Sequence, residues 1–207
     1  MTTVLLARHG ETGWNRRGLL QGWAPIRLTD RGREQAAALA GALADRDPDR
    51  LVCSDLERAT ATAEAVAEST GLDPVPARTW RERDAGFLQG LPAAEAFERF
   101  PRLAGGGETL DGQPESGESV QEFVSRVERG WTGLRDDLPA GETAVVVTHG
   151  GVLSVVTALV DDRSVPEVFQ GDGLQNCALM EVTVRKPGTT LVREAATGHL
   201  DARLTRD

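Results

Sequence analysis

The stretch "VLLARHGETGWN", residues 4–15, decides the fold of this chain. It begins with an unbroken apolar run, as expected for a strand that is buried on both faces of a sheet. The run then stops at Arg8, His9 and Gly10. In open parallel sheets, ligands bind beyond the carboxyl ends of the strands. A strand that ends in a guanidinium, an imidazole and a glycine therefore predicts an α/β fold with a site at this edge.

The composition limits the possible partners. The chain has 207 residues, a length that suits one compact α/β domain. It is 40% hydrophobic but only 4% aromatic and has no tyrosine, so we expect a mainly aliphatic core. A formal charge of -9 argues against non-specific binding to nucleic acid or to anionic membranes. Lys186 is the only lysine, which fits either genome composition or a salt-adapted surface.

No segment predicts export, a disulfide framework or a metal site. No apolar run approaches the length of a membrane span, and the N-terminus lacks a basic leader, so we expect a cytoplasmic protein. The two cysteines, Cys53 and Cys177, form no disulfide framework. Three histidines are too few and too scattered for a zinc pattern, and we expect neither a metal nor another cofactor.

Strand and helix patterns alternate along the chain. Strands are predicted at 3–7, 49–54 and 143–148, and helices at 28–47, 54–71, 119–138 and 152–160. This alternation predicts a three-layer α/β/α sandwich with a mostly parallel central sheet. Two final strands, in 176–184 and 189–196, are predicted to be antiparallel.

Two further features complete the predicted organisation. Residues 1–207 form a single domain, in which the Gly- and Pro-rich stretch from roughly 81 to 118 is a small inserted cap. Ser54 and Glu57 have the spacing of a capping box at the start of the second helix, and Gly71 marks the end of that helix.

Three predicted strand ends carry unusual chemistry. The first ends in Arg8 and His9, the second leads into a helix whose first turn contains Arg58, and the third ends in His149 and Gly150. If these strands are neighbours, two imidazoles and two guanidiniums share one edge of the sheet.

That combination suits a phosphoryl group. Arginines donate forked, charge-assisted hydrogen bonds to phosphate oxygens, and a neutral histidine nitrogen can attack phosphorus. Gly10 and Gly150 allow the backbone to approach a ligand, and the helix that begins near Gly150 points N–H groups at an anion. Asn15 adds an amide donor from the loop.

Six segments, in order and over nearly the whole chain, resemble the motifs of the histidine phosphatase superfamily, in the branch that contains the phosphoglycerate mutases and related phosphatases. They are "LLARHGETGWN", "LTDRGREQA", "CSDLERATATA", "RERDAGFLQG", "SGESVQEF" and "VVVTHGGVL". Their combination and order are far more specific than any single motif.

The resemblance implies a role for each matching residue. His9 would be the nucleophile that becomes phosphohistidine, and Glu82 would protonate the leaving oxygen and then activate water. Arg8, Arg58 and His149 would form the phosphate pocket and stabilise the transferring group. The remaining substrate- or phosphate-binding residues would be Asn15, Gln21, Gly22 and Gly150. No metal is implied.

These observations favour a metal-independent phosphomonoester hydrolase that acts on a small phosphorylated metabolite. The alternative is a phosphoglycerate mutase-type isomerase, because "ERDAGFLQGL" resembles the mutase segment, with Gln89 where many phosphatases carry glutamate. Against it, the chain lacks tyrosine, and its cap carries only Arg99 and Arg102 beyond that motif. A phosphate-binding protein without activity is a third class, but no catalytic residue is missing.

A cysteine phosphatase is excluded by spacing. Only four residues separate Cys53 from Arg58, one fewer than such a loop requires, and two of them are acidic. The physiological substrate and the oligomeric state are not specified by the sequence.

Overall fold

The computed structural model describes residues 1–104, 111–169, 174–185 and 188–205. The strands are β1 (Thr2–Arg8), β2 (Arg50–Cys53), β3 (Val75–Pro76), β4 (Thr143–Thr148), β5 (Leu179–Arg185) and β6 (Gly188–Ala196). The helices are α1 (Gly13–Arg16), α2 (Asp30–Ala44), α3 (Glu57–Thr70), α4 (Ala93–Arg99), α5 (Pro101–Ala104), α6 (Val120–Asp137), α7 (Gly150–Asp161) and α8 (Val165–Phe169). Short 3₁₀ turns occupy Arg78–Trp80 and Gly86–Leu88.

The six strands form one sheet in the order β3-β2-β4-β1-β5-β6. The first four strands along the chain run parallel, whereas β5 is antiparallel to both β1 and β6. The predicted mostly parallel sheet and its antiparallel final pair are confirmed. The order matters for function, because it places β2, β4 and β1 side by side with their carboxyl ends at one edge.

Helices cover both faces of the sheet. Alternate side chains of β1 point to opposite faces, so Val4 and Leu6 join the core beneath α6 and α7, while Leu5 and Ala7 join the core beneath α2 and α3. All four are fully buried. Burial on both sides explains why this strand shows no apolar–polar alternation, and the three layers confirm the predicted sandwich.

The three long helices α2, α3 and α6 have defined ends, which confirm the predicted stop signal of α3 but not its predicted start. Thr29 caps α2, and the side chains of Ser119 and Glu122 form a capping box at the start of α6. Gly71 ends α3 in the left-handed conformation, with φ of 74°. The capping box predicted at Ser54 is wrong: α3 begins at Glu57, and its N-cap residue, Leu56, makes no side-chain hydrogen bond to the helix.

The segment 81–118 contains α4, the second 3₁₀ turn and α5, while 105–110 lies outside the described residues. It is joined to the loop before α2, because Leu20 donates its backbone N–H to the carbonyl of Leu91 at 2.9 Å. The assignment of 81–118 as a cap within a single domain stays a prediction. Within the described ranges, no helix has both the length and the apolar character needed to cross a bilayer.

Candidate active site

The residues that follow the neighbouring strands β1, β4 and β2 lie together at one edge of the sheet. In the parallel register, Arg8 of β1 lies opposite Thr148 of β4, and Cys53 of β2 lies opposite Val147 of β4. His9 and His149 therefore leave the sheet side by side, with their ring centroids 5.2 Å apart. The predicted meeting of the two histidines at one edge is realised in the structure.

The His9 side chain is held as a neutral imidazole with a defined tautomer. It is almost fully buried, and Nδ1 donates to the carbonyl of Gly10 at 2.7 Å. Nε2 accepts a hydrogen bond from Nε of Arg58 at 3.2 Å, so it carries the lone pair. Burial, followed by the positive charges of Arg58 and Arg8, holds the pKa of His9 well below its ordinary value.

Two arginines supply positive charge beside His9. Arg58 is fully buried, and its Nη2 donates to the carbonyl of Gly22 at 2.8 Å. Burial lowers the pKa of Arg58 to about 10, which leaves it protonated at neutral pH. Arg8 extends from the end of β1, and its Nη1 donates to the carbonyl of Leu174. Both guanidiniums are thus oriented by backbone carbonyls.

His149 is held by Ser54, the residue that was predicted to cap α3. Ser54 Oγ lies 2.8 Å from Nε2 of His149 and accepts the backbone N–H of Leu56 at 3.3 Å. The Ser54 proton can therefore point at Nε2, which leaves the His149 proton on Nδ1. Nδ1 is buried and has no hydrogen-bond partner within the described part of the chain. Burial, then Arg58, His9, Arg8 and Arg126, lowers the pKa of His149.

Backbone donors fix the carboxylate of Glu82. Its Oε1 accepts from the N–H of Arg83 at 2.9 Å, and its Oε2 accepts from the N–H of Gly151 at 3.1 Å, in the first turn of α7. A Cβ atom at position 151 would lie 2.3 Å from Oε1, so only glycine permits this approach. The carbonyl of Glu82 accepts from Trp23 Nε1 at 2.7 Å and from Arg126 Nη2 at 3.2 Å.

The loop after β1 presents two amide side chains. Oδ1 of Asn15 accepts the backbone N–H of Thr12 at 3.1 Å in the capping box of α1, so Nδ2 is the end that can donate to a ligand. The Thr12 hydroxyl lies 3.0 Å from Oε1 of Gln21. Gly22 has a φ of 47°, and a Cβ there would collide with Gln89 and with the backbone of Ala85.

These groups line one cavity of about 520 Å³. Of the predicted site residues, the structure places all except His149 on its wall: Arg8, His9, Asn15, Gln21, Gly22, Arg58, Glu82 and Gly150. His149 is buried next to His9, with the two ring centroids 5.2 Å apart. The described residues contain no group of three His, Cys, Asp or Glu side chains placed to hold a metal ion.

Several supporting residues were not found from the sequence. Nδ2 of Asn176 donates to the carbonyl of His9 at 3.0 Å, and Thr62 Oγ1 accepts the N–H of Gly10 at 3.1 Å. Arg126 forms a bidentate pair with Glu118 and donates to carbonyls on the segment that carries Glu82. A hydrophobic-periodicity analysis gives no signal for such residues, because each acts through a hydrogen bond to a distant backbone group.

Comparison with known proteins identifies the family. The sequence pattern described as the histidine phosphatase superfamily (branch 1) matches residues 4–197. This chain belongs to the histidine phosphatase superfamily. The resemblance stated from the motifs is thereby confirmed.

Individual members of the histidine phosphatase superfamily carry both mutase and phosphatase names. The chain is 34% identical over 163 residues to a probable phosphoglycerate mutase, GpmB, of Escherichia coli, covering 77% of this chain and 75% of that protein. It also resembles the structure of a mycobacterial glucosyl-3-phosphoglycerate phosphatase in complex with VO3, with a TM-score of 0.81, 30% identity, and coverage of 94% and 99% of the two chains.

A third similar structure is a phosphoserine phosphatase mutant of Entamoeba histolytica in complex with phosphoserine. The TM-score is 0.82 at 25% identity, covering 97% of this chain and 100% of that one. Phosphatase structures of mycobacterial and Entamoeba histolytica origin thus share the fold over most of this chain.

Proposed function

We propose that this protein is a metal-independent phosphomonoester hydrolase that acts on a small phosphorylated metabolite through a phosphohistidine on His9. The observation that carries the proposal is the state of His9. Its Nδ1 proton is donated to Gly10, and its depressed pKa keeps the ring neutral, so Nε2 has a lone pair for attack on phosphorus. The family and its phosphatase-named structural relatives support the same reaction.

In the first step, Nε2 of His9 attacks the phosphorus atom and the bond to the leaving oxygen breaks. Arg8 and Arg58 bind the phosphoryl oxygens, and Nδ1–H of His149 donates to the same group. Nδ2 of Asn15 and the first N–H groups of α7 at Gly150 add neutral donors. Fixed donors of this kind need no reorganisation as the charge on the transferring group changes.

Glu82 acts first as the general acid and then as the general base. In its protonated form it donates to the leaving oxygen, which departs as an alcohol. The resulting carboxylate then takes a proton from a water molecule that attacks the phosphohistidine. The P–N bond breaks, orthophosphate leaves, and His9 returns as a neutral imidazole. Two backbone hydrogen bonds to Glu82 support this role by fixing its carboxylate at the cavity wall.

The second candidate is mutase activity, which the name of the E. coli relative favours. Both reactions pass through the same phosphoenzyme, and they differ in whether water or a substrate hydroxyl receives the phosphoryl group. The products therefore separate them: a mutase converts 3-phosphoglycerate into 2-phosphoglycerate without orthophosphate, whereas a hydrolase releases orthophosphate.

The test is turnover of p-nitrophenyl phosphate and 3-phosphoglycerate by the wild-type protein, His9→Ala and His199→Ala. The control is matched, since Nε2 of His199 contacts the carbonyl of Cys177 at 2.9 Å and His199 does not line the cavity. We expect orthophosphate release by the wild-type protein and His199→Ala but not by His9→Ala. The trapped phosphoenzyme should be acid-labile and base-stable. An acid-stable phosphoester, or full activity of His9→Ala, would overturn the assignment of the nucleophile.

A further inference from the structure

The cavity has a second wall whose chemistry differs from that of the phosphate pocket. Three separate segments contribute apolar side chains to it: the loop before α2, the helix α4, and the segment that contains α8. These residues are Leu19, Leu20, Phe97, Val168, Phe169 and Leu174. A mainly apolar wall with a few convergent polar groups is typical of a small-molecule site of this size.

The cavity is also lined by two arginines other than those beside His9, and both already donate to protein acceptors. Arg83 Nε donates to the carbonyl of Glu118 at 2.8 Å, and its Nη2 donates to the carbonyl of Gly112 at 3.2 Å. Arg163 pairs with the carboxylate of Glu194 at 3.4 Å. A substrate carboxylate would have to compete with these contacts.

The carboxylates that line the cavity further disfavour a substrate that carries a second anionic group. Glu194 lines the cavity in its pair with Arg163, and Glu82 lines it as the proton donor, so neither offers a positive partner to a second anionic group on the substrate. An anion that is desolvated without a partner is strongly disfavoured. An apolar leaving group gains from burial against the same wall.

We infer that the leaving-group subsite of this enzyme selects phosphomonoesters of uncharged, apolar alcohols, aromatic ones in particular, over phosphorylated carboxylic acids. The inference rests on the proposed function and names the substrate class of that site. The reaction is unchanged: the phosphoryl group passes to His9, and the apolar alcohol leaves with the proton of Glu82. Phosphoglycerate-type substrates are the class that this wall disfavours.

The test compares 2-phenylethyl phosphate with 3-phosphoglycerate, because both release a primary alcohol and therefore have similar intrinsic reactivity. We expect kcat/KM to be at least about tenfold higher for the phenylethyl ester. Glucose 6-phosphate, whose leaving group is polar but uncharged, should fall between them. An equal or higher kcat/KM for 3-phosphoglycerate would refute the inference.

Phe97 and Phe87 provide a matched pair of variants. Phe97 lines the cavity and is 44% exposed, while Phe87 is 46% exposed and does not line it. Phe97→Ala should lower kcat/KM for 2-phenylethyl phosphate by about three- to tenfold, and leave that for glucose 6-phosphate nearly unchanged. Phe87→Ala should change neither. If Phe97→Ala lowers kcat/KM equally for both esters, or if Phe97→Ala and Phe87→Ala lower it equally, this wall does not select the leaving group.

The two proposals fail in different ways. If no ester is hydrolysed and no phosphohistidine forms, the proposed function is wrong. If orthophosphate is released from every ester without preference for the apolar one, the reaction stands and the substrate class is wrong.

Discussion

Replacing Ser54 by alanine tests whether its hydroxyl sets the tautomer in which His149 donates to the phosphoryl group. The two side chains are 95 residues apart in the sequence, both are fully buried, and Oγ lies 2.8 Å from Nε2. Ser54→Ala leaves that nitrogen without its partner. An unsatisfied buried polar group costs about 1–3 kcal/mol, so the free energy of unfolding should fall by that amount.

The same change should slow the reaction. The hydroxyl of Ser54 favours the tautomer with the proton on Nδ1, and a hydrogen bond of this kind is worth about 0.5–1.5 kcal/mol. Losing that preference should lower kcat by about two- to tenfold, with a smaller change in KM. His149→Ala removes the donor itself and should cost about 10²–10³-fold in kcat.

The assay is steady-state kinetics together with urea denaturation, and Thr2→Ala is the matched control. Thr2 Oγ1 is a buried hydroxyl that accepts the N–H of Gly141 at 3.0 Å, at the opposite end of β1 from His9. Thr2→Ala should lose comparable stability without loss of kcat. If Ser54→Ala is destabilised but keeps the kcat of Thr2→Ala, the hydroxyl is purely structural and the reasoning is refuted.

Three further outcomes follow from the structure. Gly151→Ala places a Cβ 2.3 Å from Oε1 of Glu82 and should lower kcat by at least about tenfold in a folded protein. Gly133→Ala, at an open position in α6, is the control and should stabilise the protein by about 0.5–1 kcal/mol with unchanged kcat. Equal kcat in the two variants would contradict the need for glycine beside Glu82 at position 151. Arg126→Met removes the donors to the carbonyls of Arg81 and Glu82 and should cost about 1.5–3 kcal/mol of stability and reduce kcat. Arg135→Met, at a half-buried position on the same helix, is the control, and loss of activity there would show a non-specific effect. In the folded protein the pKa values of His9 and His149 are well below the ordinary value of about 6.5, at which the histidines of the unfolded chain titrate. Below that pH the unfolded chain therefore binds more protons than the folded protein. The free energy of unfolding should then fall as the pH decreases, by up to about 1.4 kcal/mol per pH unit for each histidine. The denaturation-derived slope should be smaller in His9→Asn, and an unchanged slope would contradict a neutral His9.

The candidate catalytic groups could be located from the sequence because their motifs directly follow strong local patterns. The apolar runs before Arg8 and His149 identify two buried strands, and parallel strands bring their carboxyl ends to a common edge. The helix that carries Arg58 is recognisable from its composition and from Gly71 at its end. The family motifs then assigned expected roles that the geometry accommodates.

The supporting contacts could not be predicted in the same way. Ser54 has the spacing of a helix cap, but α3 begins too late for its side chain to reach the free N–H groups, and the hydroxyl contacts His149 instead. Asn176 and Arg126 show no periodic signal, since their partners are backbone carbonyls of segments far away in the sequence. The apolar wall of the cavity likewise combines three segments that are separated along the chain.

The sequence by itself determined the main strands and helices, the mostly parallel arrangement and the candidate reacting groups. These depend on local apolar periodicity and on short motifs, each of which is contained within a few neighbouring residues. Only the tertiary structure decided which nitrogen of each histidine faces a donor, what holds Glu82 in place and which side chains surround the leaving group. Those properties depend on the register of distant strands and on where the loops return, and hydrogen bonds between distant residues leave no pattern in either segment alone.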